Sequence, residues 1–476
     1  MNPRPAVDPV CGKSGSETLS GTISGRIAAH VSRLQYADLP PAIVDHAKLL
    51  MLDTLAVAWA GSDAPGCREV HALFAGDGGA AQATCWAFGG RLPAAEAAFV
   101  NGATAAALDY DSFGRDAPVH ANIVILPVAL AVAQWRRTSG RDFLCALVAG
   151  NDLVCRIAAS LTPPHRGFAY TSVITVLGAA AVASRLMGLD ATTTRHALGL
   201  AFQQAGGTQQ ANLEPALAKR LLSAFPARAG ILAARLAAQG VTAPAQIFEG
   251  TLGFHALYQA GDPQRVLDGL GERFDSDAVS IKGYPSCSCN HAAIAGMLAL
   301  VAEHGLVSDD IESIEVVASP YIVRLVGAPY EPGDDPQVSA QFSIRYSVAC
   351  AMLRGRLGLA EIDPATALDP ALRRFAAKVT VRAEPAFTGT RAPVVLRVAS
   401  RRHGLLERRV DHVPGSDESP LDAATIDAKF DECFARGVRP LDPPRIRLLR
   451  ERITALEDID DLSQLFDGLC DERYDS

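Results

Sequence analysis

The chain has 476 residues, of which 49% are hydrophobic and 20% are charged, and its formal net charge is -8. It is long enough to bury a large core and too long for one ordinary domain, so two domains are expected. The net negative charge disfavours a surface that binds nucleic acid or an anionic membrane, because such a surface needs clustered Lys and Arg. An anionic substrate would therefore need a local concentration of positive charge.

The ten cysteines are scattered without the spacing of a zinc site, which is typical of reduced, buried thiols in a cytosolic protein. Residues 1–21 are polar, rich in Pro, Gly and Ser, and lack the apolar stretch of a signal peptide. The sequence therefore predicts a disordered leader and a cytoplasmic location.

From residue 23 to about residue 260, nearly every segment is predicted to be helical. Pro40 and Pro41 can open a helix that ends at Gly61, because Pro suits the start of a helix and Gly its end. Further helices are predicted over residues 95–107, 127–137, 144–161, 171–187, 192–204 and 225–238. A large all-helical domain is expected over residues 22–274.

Two segments without charged residues, 117–135 and 167–184, approach the length of a membrane span. The first contains Pro127 and the second contains several hydroxyl side chains. A helix that is apolar on all sides is expected in the core of a large protein. Buried central helices are therefore predicted, and no membrane contact.

After residue 274 the pattern changes to short β-branched runs between helices. A helix over residues 291–304 precedes the runs 314–318, 378–382 and 394–398. An α+β lid domain is predicted over residues 275–410. Helical periodicity returns after it, so residues 411–476 are expected to pack back on the helical domain. The predicted fold class is mainly α with an α+β second domain.

The first candidate for chemistry is the segment 108–120, which joins two apolar helices and carries Asp109, Asp111 and His120. A His in this position is available for proton transfer near neutral pH. Loop polarity with a capping His is the simpler alternative.

The second candidate is Lys219, which precedes a very apolar helix. The helix dipole disfavours an ammonium group at a helix start, so an anionic ligand would stabilise it. The simpler alternative is a surface Lys whose aliphatic part covers apolar neighbours.

The third candidate is the segment 280–291 at the predicted domain boundary, where ligand sites are common. It contains Lys282, Tyr284, Cys287, Cys289 and His291. Alternate residues rarely converge on one tetrahedral metal ion, and no second ligand pair is evident. No metal site is predicted.

Together and in this order, these segments resemble the MmgE/PrpD family, whose members include 2-methylcitrate dehydratase, cis-aconitate decarboxylase and iminodisuccinate epimerase. The resemblance covers residues 22–435 and is most specific at 53–61, 100–111, His120, 178–190, 282–291 and 341–353. It implies a helical domain with an α+β lid, a homodimer, and a cofactor-free active site between the domains.

The resemblance also implies roles for single residues. Lys219 and Lys282 would bind substrate carboxylates, His120 would move a proton, and Asp109 would set the orientation or pKa of His120. Tyr321 matches a lid tyrosine. Nearby ammonium groups would stabilise the negative charge that forms when a proton or CO2 leaves beside a carboxylate.

The chain departs from the family where Gly-Phe-His is usual, because Ala169 replaces a frequent active-site His. Either Tyr170 or His165 takes over its role, or the chemistry differs. His291 completes the predicted substrate-binding set. The departure argues against cis-aconitate decarboxylation and standard 2-methylcitrate dehydration.

The leading prediction is a lyase, a dehydratase, acting on a small di- or tricarboxylate through a carbanion next to a carboxylate. An epimerase or racemase needs the same carbanion with an acid and a base on opposite faces, for which His120 and Tyr284 or Tyr321 could serve. A decarboxylase ranks third. A non-catalytic carboxylate-binding homologue is the alternative from another class.

Overall fold

The computed structural model describes residues 19–115, 118–164 and 166–470. The helices of seven or more residues are α1 Ile23–Arg33, α2 Pro41–Gly61, α3 Cys67–Asp77, α4 Ala94–Ala106, α5 Asn122–Arg136, α6 Gly140–Ala159, α7 Tyr170–Leu186, α8 Ala191–Phe202, α9 Leu221–Ala238, α10 Ser288–His304, α11 Pro320–Val326, α12 Ile344–Arg354, α13 Pro370–Ala376, α14 Ala423–Phe434 and α15 Pro443–Thr454. The strands are β1 Ala83–Thr84, β2 Arg91–Leu92, β3 Phe113–Gly114, β4 Val279–Ser280, β5 Ile311–Ala318, β6 Val379–Ala383, β7 Val394–Ser400 and β8 Gly404–Val410.

This architecture confirms the predicted fold class, a helical region followed by an α+β region. The helical region is not entirely helical, because β1 and β2 pair within it. Of the predicted disordered leader, residues 1–18 lie outside the described residues, and residues 19–21 form a helical turn.

The two apolar segments that approach membrane length form α5 and α7, which are almost completely buried. Helix α5 begins at Asn122, five residues before the predicted start, and contains Pro127 in its interior. Among the described residues, one stretch, Leu217–Ala238, is long and apolar enough to cross a membrane, and half of it is buried inside the protein. Core helices of large proteins show the same pattern.

Helices α7 and α9 pack closely because small residues meet at their contact. A Cβ atom on Gly230 of α9 would lie 2.8 Å from the backbone carbon of Ala179 in α7. Backbone atoms cannot move aside as a flexible side chain does, so only glycine fits at this position.

In the α+β region, the strands form a four-stranded sheet in the order β6-β5-β7-β8. Strand β5 runs parallel to β6 and antiparallel to β7, and β8 is the second edge strand. The sequence did not predict β8, because its residues are mostly exposed and four of its seven are Gly, Glu or Arg. Helix α10 packs against β7 and β8.

The chain after residue 411 returns to the helical region, where α14 and α15 contact α2. The indole Nε1 of Trp59 in α2 donates a hydrogen bond to the carbonyl oxygen of Arg439 at 2.6 Å. The predicted domain boundaries at residues 274 and 410 stay predictions.

We predict that Gly230→Ala lowers the stability of the folded protein by about 1–3 kcal/mol, since overpacking a tight helix contact has this cost. Gly76→Ala in α3 is the matched control, because a Cβ there meets nothing within 4 Å. Thermal unfolding of the two variants measures the difference. Equal melting temperatures would contradict the close α7–α9 contact.

Candidate active site

A cavity lies where the helical and α+β regions meet, a position common for small-molecule sites. Its polar lining is supplied by loops and helix starts from both regions: Asp109, Asp111, His120, Tyr170, Gln209, Asn212, Lys219, Cys287, Ser288, Tyr321, Thr390 and Arg391. Strand β3 pairs with β4, and this short ladder brings the loop after α4 beside the segment before α10.

Asp109 is the centre of a buried ion-pair cluster. Its carboxylate pairs with Lys219, and the ammonium nitrogen of Lys282 lies 3.2 Å from its Oδ2. Burial alone would raise the pKa of Asp109, but the two lysines outweigh burial and lower this pKa to about 2. The backbone of Asp109 has a φ of 50°, which is uncommon for a residue other than glycine and clusters at functional sites.

Asp111 orients His120. Nδ1 of His120 lies 2.7 Å from Oδ2 of Asp111 and 3.0 Å from the carbonyl oxygen of Ser112. Burial alone would raise the pKa of Asp111, but Lys282 and His120 hold it well below its usual range. The family resemblance implied the orienting role for Asp109, but in the structure the carboxylate that contacts His120 is that of Asp111. Because Nδ1 makes these two contacts, a proton transfer by His120 would use the other ring nitrogen, Nε2.

The two lysines differ in what they can still bind. Nζ of Lys282 has three oxygen partners: Asp109 O at 2.7 Å, Asp109 Oδ2 at 3.2 Å and Asp111 Oδ1 at 3.5 Å. An ammonium group has three N–H donors, so this set is complete. Nζ of Lys219 contacts Asp109 and the carbonyl oxygen of Ala106, and it lies 5.1 Å from the ring centre of Phe342. Lys219 lines the cavity and can meet a ligand there, whereas Lys282 is fully buried and does not line the cavity.

Tyr284 and His291 were expected at the site, but neither lines the cavity. Their rings pack edge to face with centres 5.1 Å apart. His291 is fully buried beside the carbonyl oxygen of Ser286, and burial together with Lys282 lowers its pKa to about 3. Tyr284 precedes α10 and His291 lies in its first turn, and the two side chains pack against each other rather than along the cavity.

Tyr170 and Tyr321 do line the cavity. The hydroxyl of Tyr170 donates to Oε1 of Gln259 at 2.5 Å, and Ala169 lies beside it in the cavity wall. Tyr321 accepts a hydrogen bond from Nε2 of Gln209 at 3.5 Å. Burial raises the pKa of both tyrosines, so both hydroxyls are protonated at neutral pH. His165 lies outside the described residues.

Arg391 was missed by the sequence analysis. It comes from the loop between β6 and β7, where its Nε donates to Oγ of Ser288 at 3.1 Å and its Nη2 donates to the carbonyl oxygen of Gly114 at 2.7 Å. Its guanidinium lies 4.7 Å from the ring centre of Phe113. An Arg in a polar loop gives no local signal, because its partners are distant in the sequence.

Comparison with known families identifies this architecture. The MmgE/PrpD N-terminal domain matches residues 25–266, and the MmgE/PrpD C-terminal domain matches residues 284–454. The chain belongs to the MmgE/PrpD family.

Its relatives within this family are decarboxylases by name. The chain is 27% identical over 467 residues to the cis-aconitate decarboxylase of Homo sapiens, covering 93% of this chain and 94% of that protein. It is 29% identical over 300 residues to the cis-aconitate decarboxylase-like protein oryM of Aspergillus oryzae, covering 59% of this chain and 62% of that protein. The match to the Aspergillus terreus cis-aconitate decarboxylase is 26% identical over 299 residues and likewise spans about three fifths of each chain, 59% and 61%.

The Asp109 cluster makes stability depend on pH in a defined direction. A carboxyl group whose folded pKa is about 2, against 3.8 in an ordinary setting, contributes stability above pH 4 that is lost as the pH falls towards 2. We predict that Lys219→Met lowers the free energy of unfolding at pH 7 by about 2 kcal/mol, less than for an isolated buried pair because Lys282 remains. The variant should also lose less stability than the wild type between pH 4 and pH 2, because the pKa of Asp109 moves towards its ordinary value.

Urea unfolding at pH 7, 4 and 3 measures both effects. Lys378→Met, which removes an exposed lysine of the α+β region, is the control. An unchanged pH dependence in Lys219→Met would contradict the assigned ion pair.

Proposed function

We propose that the protein is a lyase that forms a carbanion next to a carboxylate of a small di- or tricarboxylate. The observation that carries this proposal is the juxtaposition in one cavity of the His120–Asp111 pair and Lys219. His120 can move a proton, and Lys219 can bind the carboxylate beside the reacting carbon.

Carboxylate binding follows from the charges around the cavity. Asp109 and Asp111 balance Lys219 and Lys282, so these four residues together have no net charge. The ammonium group of Lys219 and the guanidinium group of Arg391 line the same cavity and would attract an anionic substrate. In this arrangement Lys282 holds the two aspartates, whereas Lys219 contacts the substrate.

Proton transfer is assigned to Nε2 of His120. Asp111 fixes the imidazole by its Nδ1 edge, as a carboxylate does for a catalytic histidine. In a decarboxylation, CO2 leaves, the bonding electrons form a carbanion stabilised by Lys219, and the imidazolium Nε2 delivers a proton to carbon. In a dehydration, neutral Nε2 removes the proton beside the carboxylate, and a hydroxide leaves.

Decarboxylation is the first candidate because the relatives are named cis-aconitate decarboxylases. Dehydration is the second, because the protonated hydroxyl of Tyr321 lines the same cavity and can donate to a leaving hydroxide. Ala169 leaves a smaller and less polar wall than the histidine usual in the family. This difference supports a substrate other than cis-aconitate.

The test is proton NMR in deuterated buffer with citrate-like, aconitate-like and succinate-like acids. Loss of CO2 with one deuterium on the product identifies a decarboxylase, and loss of water with formation of an alkene identifies a dehydratase. Deuterium uptake without net conversion would point to an epimerase. No reaction with any acid, together with carboxylate binding, would favour a non-catalytic homologue and contradict the proposal.

We predict that His120→Gln lowers kcat by about 10²–10⁴-fold, the usual contribution of a positioned acid or base. Carboxylate binding should persist, because Lys219 is unchanged. His304→Gln at the end of α10 is the control and should keep full activity. Full activity in His120→Gln would show that another group moves the proton.

We further propose that the protein is a cytoplasmic homodimer and that α9 contributes to the interface. Leu232 of α9 is 44% exposed and lies on the half of this apolar helix that the protein itself does not cover. Exposed apolar helix faces of this kind mark protein contacts.

Leu232→Glu should shift the protein towards a monomer in sedimentation experiments, because a carboxylate in an apolar interface loses its hydration. Leu405→Glu is the control, since Leu405 is 71% exposed and belongs to strand β8 of the α+β region rather than to α9. A monomeric wild-type protein would overturn the homodimer proposal.

A further inference from the structure

Lys429 of α14 is a buried lysine that the proposed reaction does not use. Its Nζ lies 2.6 Å from Oδ1 of Asp53 in α2, and both side chains have almost no solvent exposure. Neither residue lines the cavity. Asp53 also opens one of the sequence segments that carry the family resemblance, and the reaction gives it no role.

The other contacts of Lys429 lead to the candidate active site. Its Nζ donates to the carbonyl oxygen of Tyr110 at 2.9 Å and to the carbonyl oxygen of Lys282 at 3.1 Å. The same nitrogen lies 4.1 Å from the ring centre of Tyr110. With Asp53, these oxygens occupy all three N–H donors of the ammonium group.

The two carbonyl groups belong to the segments that carry the buried charges of the site. Tyr110 lies between Asp109 and Asp111, and Lys282 contacts both of these aspartates. A single ammonium group outside the cavity lining therefore joins the backbone of both segments. The aspartates keep their positions only if these segments keep their spacing.

Stability alone does not explain a buried pair at this place. A buried ion pair contributes little net stability compared with apolar side chains of the same size, because both charges lose their hydration. Among the described residues, the carboxylate oxygens of Asp53 have no hydrogen-bond partner besides this ion pair. Asp53 therefore serves to hold the charge of Lys429 in place.

We propose that Lys429 and Asp53 are positioning residues that hold the Asp109–Asp111 segment and the Lys282 segment at the spacing the reaction needs. The effect on turnover rests on the proposed function. The effect on the two backbone segments does not.

The test compares Lys429→Met, Asp53→Asn and Lys429→Arg with a control, Lys48→Met. Lys48 also lies on α2 and forms an ion pair with Glu457, and its polar contacts within the described part of the chain are Glu457 and the carbonyl oxygen of Thr454. Hydrogen exchange measured by mass spectrometry reports on residues 106–115 and 280–287 in each variant. Steady-state kinetics report on kcat and KM.

Lys429→Met and Asp53→Asn should exchange faster in these two segments than the wild type, whereas Lys48→Met should not. Their kcat should fall about 10- to 100-fold, since small displacements of reacting groups have effects of this size. KM should change much less, because Lys219 remains. Lys429→Arg should recover part of kcat, since it keeps the charge and changes the donor geometry.

Unchanged exchange in both segments, or the same change in Lys48→Met, would overturn the positioning role whatever the activity. Should Lys429→Met fail to fold, Asp53→Asn and Lys429→Arg decide the question alone. Faster exchange in a protein that converts none of the acids would leave the positioning role standing and would overturn the proposed function instead.

Discussion

Two carboxylates and two ammonium groups, all largely removed from solvent, meet at the candidate active site and balance one another: Asp109, Asp111, Lys219 and Lys282. Any one of them alone would be costly to bury, because an unpaired charge in a protein interior loses several kcal/mol of hydration. The loop after α4, the turn before α9 and the segment before α10 must therefore meet in one arrangement. The tightly packed helices α4, α7 and α9 support these three segments, and the cavity lies next to the charged cluster.

Local patterns predicted most of the fold. The helix α2 was predicted at its observed bounds, because proline at the start and glycine at the end are local signals. Strand β8 and the early start of α5 were not predicted, because both depend on tertiary contacts. Strand β8 owes its place to pairing with β7, and the interior position of Pro127 is allowed by burial among neighbouring helices.

The site could be predicted in part, since His120, Lys219 and Tyr321 do line one cavity. The different partners of Asp109 and Asp111 could not be predicted from the sequence. The left-handed backbone at Asp109 turns these two carboxylates, only two positions apart, towards different partners. Arg391 and Lys429 could not be found either. Each contacts segments more than 100 residues away in the sequence, and no local sequence pattern predicts such a contact.

The proposed function requires that this cavity bind a polycarboxylate between Lys219 and His120. The decisive measurement is a crystal structure of the protein with a saturated tricarboxylate such as tricarballylate. We expect one carboxylate within hydrogen-bond distance, about 3 Å, of Nζ of Lys219, with the adjacent carbon next to Nε2 of His120 and Lys282 still paired with both aspartates. A ligand bound outside this cavity, or one that contacts Lys282 and displaces the aspartates, would show that the proposed site is wrong.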